Sequence, residues 1–506
     1  MGIVCASKLC QVCPACPCCG YNTEAQVRQE LKDLLKTWMK QLTEIAPETK
    51  IKNLTMMSAH DCGTYSIPKT TLGSSISRTQ SEDVYEQLDL GVRQIDFRYG
   101  PQGTKPEELV VRHGPHAGGN YFRELIKIKN WVENNPNEFL IVDAKCEKKI
   151  NLEQRNFLVH FLLEKFGKVL ITKKDTETWF KVDKVTLGDL AKHHPRRILL
   201  MVDGMIKDFP TKTDSPQIED LLYREDFIVS PWHNTGSVKK LFDGIEKDTQ
   251  TLYKENPLHF LNFQMILTPK ADLTNITKYC FCMDRGRIDQ KQYMMFQEKK
   301  LQNFMRSIVG QSKLGQVNYV MMDFVNYDPL IIQFLIGLNF PYVLNIESAS
   351  LTIGKKKHDI RKKIGSLISR SNSLWIVSAS KDLELKFKKA ELTLIYKYGD
   401  GKSVEKKITL NSCDQYLLNC ITHLDVTLDV RTDNTEMSVD FSHRKSEIFH
   451  ETETTQLETE SKPVLRPNQL GIPSLQNMCS PLLPNLTQSF ASFSSLQNSI
   501  HFPKKE

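Results

Sequence analysis

The chain has 506 residues, is 40% hydrophobic and carries a formal charge of +7. That is enough apolar content for at least one large core and a second domain, which excludes a mini-protein or a wholly disordered chain. No run approaches the roughly 18 consecutive apolar residues that span a bilayer, and the opening stretch "MGIVCASKLCQVCPACPCCG" lacks the apolar region of a secretory signal. The expectation is synthesis in the cytoplasm without a spanning helix.

Six of the 13 cysteines, Cys5, Cys10, Cys13, Cys16, Cys18 and Cys19, fall in the first twenty residues. A disulfide framework would be spread through the fold. Two readings remain: a metal knot on the Cys10, Cys13, Cys16 spacing, and lipidation of thiols close behind Gly2. The metal reading lacks a distant second ligand pair, and Pro14 and Pro17 interrupt the cluster. Acylation of several cysteines is favoured, because two acyl chains anchor stably where one is marginal.

An amphipathic helix is expected near "EAQVRQELKDLLKTWMKQL". Eight short apolar runs follow: "KNLTMMSA", "GVRQIDF", "ELVVR", "EFLIVDA", "RRILLMV", "FIVS", "LHFLNFQMI" and "VNYVMMDF". Most are separated by helix-length segments, and the strands are apolar enough to be covered on both faces. That pattern predicts a parallel α/β barrel of TIM type, with irregularity where the second and third runs lie close together. In such a barrel the active site gathers at the carboxyl ends of the strands. Those ends deliver His60 and Asp61 from the first run, Arg98 from the second, His113 from the third, Lys145 from the fourth and Asp323 from the eighth.

Five strands ending in ionisable groups suit phosphodiester cleavage by a neighbouring hydroxyl. One histidine takes the hydroxyl proton and a carboxylate steadies it. An arginine balances charge on phosphorus, and a second histidine protonates the leaving oxygen.

The motifs "SAHDCGTY", "QLDLGVRQIDFRYG", "VVRHGPH", "WVENNPNEFLIVDAKCE" and "VNYVMMDFVNYDPLIIQFLIGLN" stand in this order. Together, over residues 50 to 340, they resemble the X domain of phosphatidylinositol-specific phospholipases C. The likeness is greatest to the bacterial enzymes and to animal proteins that carry this domain alone. It implies His60 as general base, Asp61 as the carboxylate assisting the acid, Arg98 as phosphate ligand, His113 as general acid, Asp323 as support of the base and Lys145 as an inositol contact. In calcium-dependent members an acidic ligand replaces the arginine, so Arg98 implies no metal and no cofactor. The family's further substrate-binding arginine falls on Arg196 or Arg197, with Arg197 preferred. Trp232 and His233 are the nearest candidates for its inositol-stacking aromatic, with Trp232 preferred.

Past residue 345 the pattern alternates with period two in "LELKF", "ELTLIYKY", "KKITL", "LDVTLDV" and "MSVDF", which predicts a small β-sandwich. Residues 345 to 410 hold fifteen Lys and Arg against seven Asp and Glu, concentrated in "GKKKHDIRKK" and "KFKK". This suits an anionic membrane surface, and no nucleic-acid motif accompanies it. From about residue 445 the composition is that of a disordered tail. The expected organisation is therefore a cysteine-rich segment (1–22), a catalytic barrel (23–344), a β-sandwich (345–444) and a tail (445–506).

Two functions fit. One is an enzyme converting phosphatidylinositol or a related lipid to diacylglycerol and a cyclic inositol phosphate. The other is a barrel that only binds lipid or protein. A glycerophosphodiester phosphodiesterase would want an acidic metal ligand where Arg98 stands.

Overall fold

The computed structural model describes residues 32–418 except 72–73, 204–220, 257, 269–317, 327–328, 342, 369–373, 377, 400 and 415. The cysteine cluster, the runs "LDVTLDV" and "MSVDF", and the expected tail lie outside the described residues.

Eight parallel strands build the main sheet: β1 (Met56–Ala59), β2 (Gln94–Pro101), β5 (Leu140–Cys146), β6 (Ile198–Val202), β7 (Leu222–Tyr223), β8 (Ile228–Val229), β9 (Phe260–Gln264) and β10 (Tyr319–Met322). Their order is β7-β6-β5-β2-β1-β10-β9-β8, so the chain's first and last strands of the set pair at the centre. This is an irregular TIM-type barrel, with no pairing between β7 and β8 among the described residues. Every residue of β1, β6 and β10 is buried, as expected of strands covered on both faces.

The third apolar run was expected as a barrel strand and is not one. It forms β3 (Leu109–His113), which runs antiparallel to β2 and continues into β4 (His116–Asn120) as a hairpin. The spacing from β2 is too short for a crossover helix, and a direct return must be antiparallel. The eighth parallel position is filled instead by the two-residue β7.

Helices cover the outside. Tyr121–Asn134 is capped by the Asn120 side chain, which accepts from the Arg123 N–H, and it buries Leu125, Ile128, Trp131 and Val132 at helical spacing. Leu152–Phe166 begins with a capping box of Asn151 and Gln154. The helix Trp38–Ile45 overlaps the end of the stretch expected to be helical, residues 24–42, and runs three residues past it. Near the amino ends of β2 and β5, the buried Arg93 guanidinium pairs with Glu138 at 2.7 Å between the rings of Trp38 and Trp131. Among the described residues no helix is long and apolar enough to cross a membrane.

A second, antiparallel sheet has the order β12-β11-β14-β15, from β11 (Leu344–Ile353), β12 (Lys356–Asp359), β14 (Lys389–Tyr398) and β15 (Val404–Asn411). Its own core holds Leu351, Leu392, Leu394 and Leu410. This core is completed by the helix Arg361–Leu367 and a ribbon of β13 (Leu374–Ile376) with β16 (Tyr416–Leu418). Alternation along β16 links the two cores. Tyr416 and Leu418 enter the second, while Leu417 enters that of the barrel. "LELKF" was expected as a strand, but residues 383–387 form a turn and an irregular stretch.

Candidate active site

Strand register sorts the barrel interior by level. Gln94, Ile141 and Leu199 share one level; Asp96, Asp143 and Met201 share the next; Arg98 and Lys145 stand above them. On these three levels of β2, β5 and β6 the charged residues therefore stand above the uncharged ones, toward the carboxyl ends of the strands.

β1 ends abruptly. Asp61 adopts a left-handed conformation (φ 43°), and a 3₁₀ turn, Cys62–Ser66, follows at once. The Thr64 hydroxyl donates to the Asp61 carbonyl at 2.8 Å, which closes the turn. A Cβ on Gly63 would come within 2.7 Å of Phe97 and 2.8 Å of Val111, so only glycine fits there. The Gln80 amide donates to the carbonyls of both His60 and Met322 at 3.0 Å. One side chain thus clamps the ends of β1 and β10 and holds His60 beside Asp323.

His60 Nδ1 lies 2.7 Å from Asp323 Oδ1. With the proton on Nδ1, Nε2 is left as an acceptor for Arg98 Nη2 at 3.0 Å. Asp61 Oδ2 is 3.4 Å from His60 Nε2 and 3.3 Å from His113 Nδ1, so one buried carboxylate stands between the two rings, whose centroids are 6.0 Å apart. His113 Nδ1 also donates to the Ser77 carbonyl at 2.9 Å, which leaves its Nε2 as the outward nitrogen. Arg98 contacts Asp61 through Nε, Asp96 through Nη2 at 2.8 Å and Glu147 through Nη1 at 2.8 Å. Lys145 Nζ is 2.9 Å from Asp96 Oδ1 and 3.3 Å from Asp143 Oδ2; Arg224 Nε also reaches Asp143 at 2.9 Å.

The electrostatics follow from this packing. Burial lowers the His60 imidazole, but the Asp61 and Asp323 carboxylates outweigh it and hold the ring above its ordinary 6.5. Burial raises the Asp61 carboxyl against the pull of Arg98, His113 and His60. Burial also works to raise Asp96, yet Arg98 and Lys145 bring it well below the usual carboxylate range. Arg98 is raised by its carboxylates in spite of burial. Atoms of His60, Asp61 and Asp96 lie within 4.8 Å of one another, a spacing that suits a cation. Here the guanidinium of Arg98 already supplies the positive charge.

The structure brings together His60, Asp61, Arg98, His113, Lys145 and Asp323. It does not bring Arg197 to them. Arg197 precedes β6 at its amino end, where its carbonyl accepts from the Leu140 N–H at 2.9 Å and its guanidinium meets His194. The site lies at the other end of that strand, so the expected substrate-binding role of Arg197 is withdrawn. Arg196, the other candidate, likewise bonds the Leu170 carbonyl at that end. Trp232 stands beyond the carboxyl end of β8, 44% exposed, with its indole donating to Thr268 at 3.1 Å. It is on the face of the barrel that carries the site, but outside the ionic cluster. Asp96, Asp143, Glu147, Arg224 and the Gln80 clamp were not singled out as site residues from the sequence. For the first three a signal exists: they alternate with Arg98 and Lys145 at i±2 and so share the inner face.

If His60 must be neutral to accept a proton, kcat/KM falls as pH drops through the raised value of its ring. Asp323→Asn removes one of the charges that raise it, so the acid limb of the pH profile is expected to move to lower pH. The plateau is expected to drop roughly 10²-fold or more, because an amide no longer enforces the tautomer. A limb that stays in place would show that another group controls it.

Residues 57–201 match the family profile "Phosphatidylinositol-specific phospholipase C, X domain". A 1-phosphatidylinositol phosphodiesterase of Listeria monocytogenes is 24% identical over 291 residues, which cover 57% of this chain and 81% of that protein. The PI-PLC X domain-containing protein 1 of Danio rerio is 24% identical over 171 residues, 29% of this chain and 55% of the relative's length. The solved phosphatidylinositol-specific phospholipase C of Listeria monocytogenes superposes with a TM-score of 0.44 and 21% identity, over 60% of this chain and 97% of that one. The matched residues 57–201 carry His60, Asp61, Arg98 and His113, and over them the chain is similar to the phosphatidylinositol-specific phospholipase C X domain.

Proposed function

We propose that the protein is a phospholipase C that cleaves an inositol phospholipid to diacylglycerol and a cyclic inositol phosphate. The observation that carries this reading is the placement of two histidines on one buried carboxylate, at 3.4 and 3.3 Å, with Arg98 against the same group. His60 Nε2 takes the proton of the ring hydroxyl next to the phosphoester. The oxygen so freed bonds to phosphorus, and Arg98 balances the charge that builds on the phosphoryl oxygens. The bond from phosphorus to the glycerol oxygen breaks, and His113 protonates that oxygen. Asp323 holds His60 in the accepting tautomer, and Lys145 is assigned to the inositol hydroxyls. A fixed guanidinium does the work that a metal would otherwise do, so no cofactor is required.

The test is incubation of the purified protein with phosphatidylinositol vesicles in excess chelator, followed by phosphorus NMR of the water-soluble product. A cyclic phosphate resonance is expected. Binding to vesicles without turnover would favour a lipid-binding scaffold instead.

Such a substrate places the protein at an anionic bilayer. Lys355, Lys356, Lys357, Arg361 and Lys362 are all exposed on the β11–β12 turn, β12 and the helix that follows, and they suit that surface. Acylation of the Cys5–Cys19 cluster would supply an anchor that salt cannot screen. Replacing Cys5, Cys10, Cys13, Cys16, Cys18 and Cys19 with Ser is expected to move the protein from membrane to cytosol while activity on detergent-dispersed lipid is kept. A six-Ser variant that still pellets after a high-salt wash would rule out the cluster as the anchor.

A further inference from the structure

Three carboxylates surround Arg98, and they are not equivalent. The side chains of Asp61 and Asp96 are fully buried, whereas that of Glu147 is 22% exposed. Arg98 itself keeps 17% of its side-chain surface open. Its Nε faces Asp61 and Asp96, and its Nη2 faces Asp96 and His60. Nη1 is held at 2.8 Å by Glu147, the one carboxylate of the three that keeps exposed surface. A phosphate entering from the mouth of the barrel therefore meets a guanidinium whose outer donor already carries a carboxylate. Burial pushes the Glu147 carboxyl up, but Arg98 and His113 outweigh it and keep it below its ordinary 4.5, so it is ionised at neutral pH.

The wider charge balance points the same way. Asp61, Asp96, Asp143, Glu147 and Asp323 face Arg98, Lys145 and Arg224 in one cluster, with the titratable rings of His60 and His113 on Asp61; these rings are common to the parent and the Glu147 variants. Repulsion from a fixed negative charge scales with the charge of the incoming group. A phosphodiester bears one negative charge, whereas phosphomonoesters and inorganic phosphate lose a second proton near neutral pH and bear about two by pH 8.

We propose that Glu147 is a charge gate on the phosphate site. It holds Arg98 Nη1 in the resting protein, yields it to a singly charged diester, and excludes doubly charged phosphate monoesters and inorganic phosphate. Selectivity then rests on a repulsive element as well as on attraction to Arg98. The inference builds on the phospholipase reading, but binding of phosphate can be measured without turnover.

The experiment titrates the full chain with inorganic phosphate, followed by phosphorus NMR or calorimetry. It is run at about pH 8, where phosphate is mostly doubly charged, and at about pH 5, where it is singly charged. Glu147→Gln is expected to bind phosphate at least about tenfold more tightly than the parent at the higher pH, with a clearly smaller gain at the lower one. Its KM for a diester should fall less than its phosphate dissociation constant. Glu147→Asp, which keeps the charge, should retain the exclusion. Equal gains at both pH values, or no gain, would overturn the gate. So would a joint loss of phosphate and diester affinity, which would make Glu147 a positioning residue for Arg98. If the gain appears but the parent cleaves no diester, the gate stands and the phospholipase reading fails. Diester cleavage without the gain sinks the gate alone.

Discussion

Replacing either His60 or His113 with Ala is expected to remove roughly 10²- to 10⁴-fold of the turnover of a natural inositol phospholipid. The two losses should differ in kind. His113 is assigned the proton that goes to the glycerol oxygen, a poor leaving group that must be protonated as it departs. A substrate with an acidic phenol in that place leaves without the proton, so His113→Ala should recover much of its rate on it. His60→Ala should not, because the ring hydroxyl still has to lose its proton to attack. The geometry makes the separation clean: His60 is tied to Asp323 at 2.7 Å and His113 to the Ser77 carbonyl at 2.9 Å, so neither ring is placed to take the other's role. Equal rescue of both variants would refute the assignment of base and acid.

Arg98→Asp should have an effect as large and of a different character. The guanidinium neutralises Asp61, Asp96 and Glu147 at one point, and its removal leaves three carboxylates facing each other with a fourth added. Chelator-resistant activity is expected to fall by roughly 10²- to 10³-fold or more, the scale seen when a preorganised charge-stabilising group is lost. The same cluster of oxygens becomes a site for a hard divalent cation. Calcium should bind the variant, seen by calorimetry, and raise its melting temperature while leaving that of the parent unchanged. Arg98→Ala, with one carboxylate fewer, should bind calcium more weakly. Activity of Arg98→Asp that survives in chelator would remove Arg98 from the phosphate site. A variant that folds but takes no calcium would show that the carboxylates do not converge.

The core of the site was legible because each of its members ends a strand or stands in a short local motif. His60 and Asp61 close an apolar run, Arg98 and Lys145 sit at alternating positions beside Asp96 and Asp143, and Asp323 follows four buried residues of β10. Period-two alternation and the carboxyl-end rule for barrels are enough to bring these groups to one face. The same rule, followed strictly, places Arg197 at the wrong end of β6. Either register of "KHHPRRILLMV" leaves both arginines before the strand, so neither can reach its carboxyl end.

What the sequence by itself determined is the class of fold and the strands whose ends carry His60, Arg98 and His113, the residues proposed as base, phosphate ligand and acid. These depend on local patterns that a few residues encode. Tertiary structure alone decided that "ELVVR" returns as a hairpin and that a two-residue strand, Leu222–Tyr223, takes its place in the barrel. It also decided that Gln80 bonds the carbonyl of His60 and that of Met322, which lies 242 residues further along the chain. The same holds for Glu147 on the outer donor of Arg98. An apolar run carries no direction, and a glutamine or glutamate carries no record of its partner. Such contacts exist only once the chain has closed on itself and the cost of leaving buried polar groups unpaired selects one arrangement.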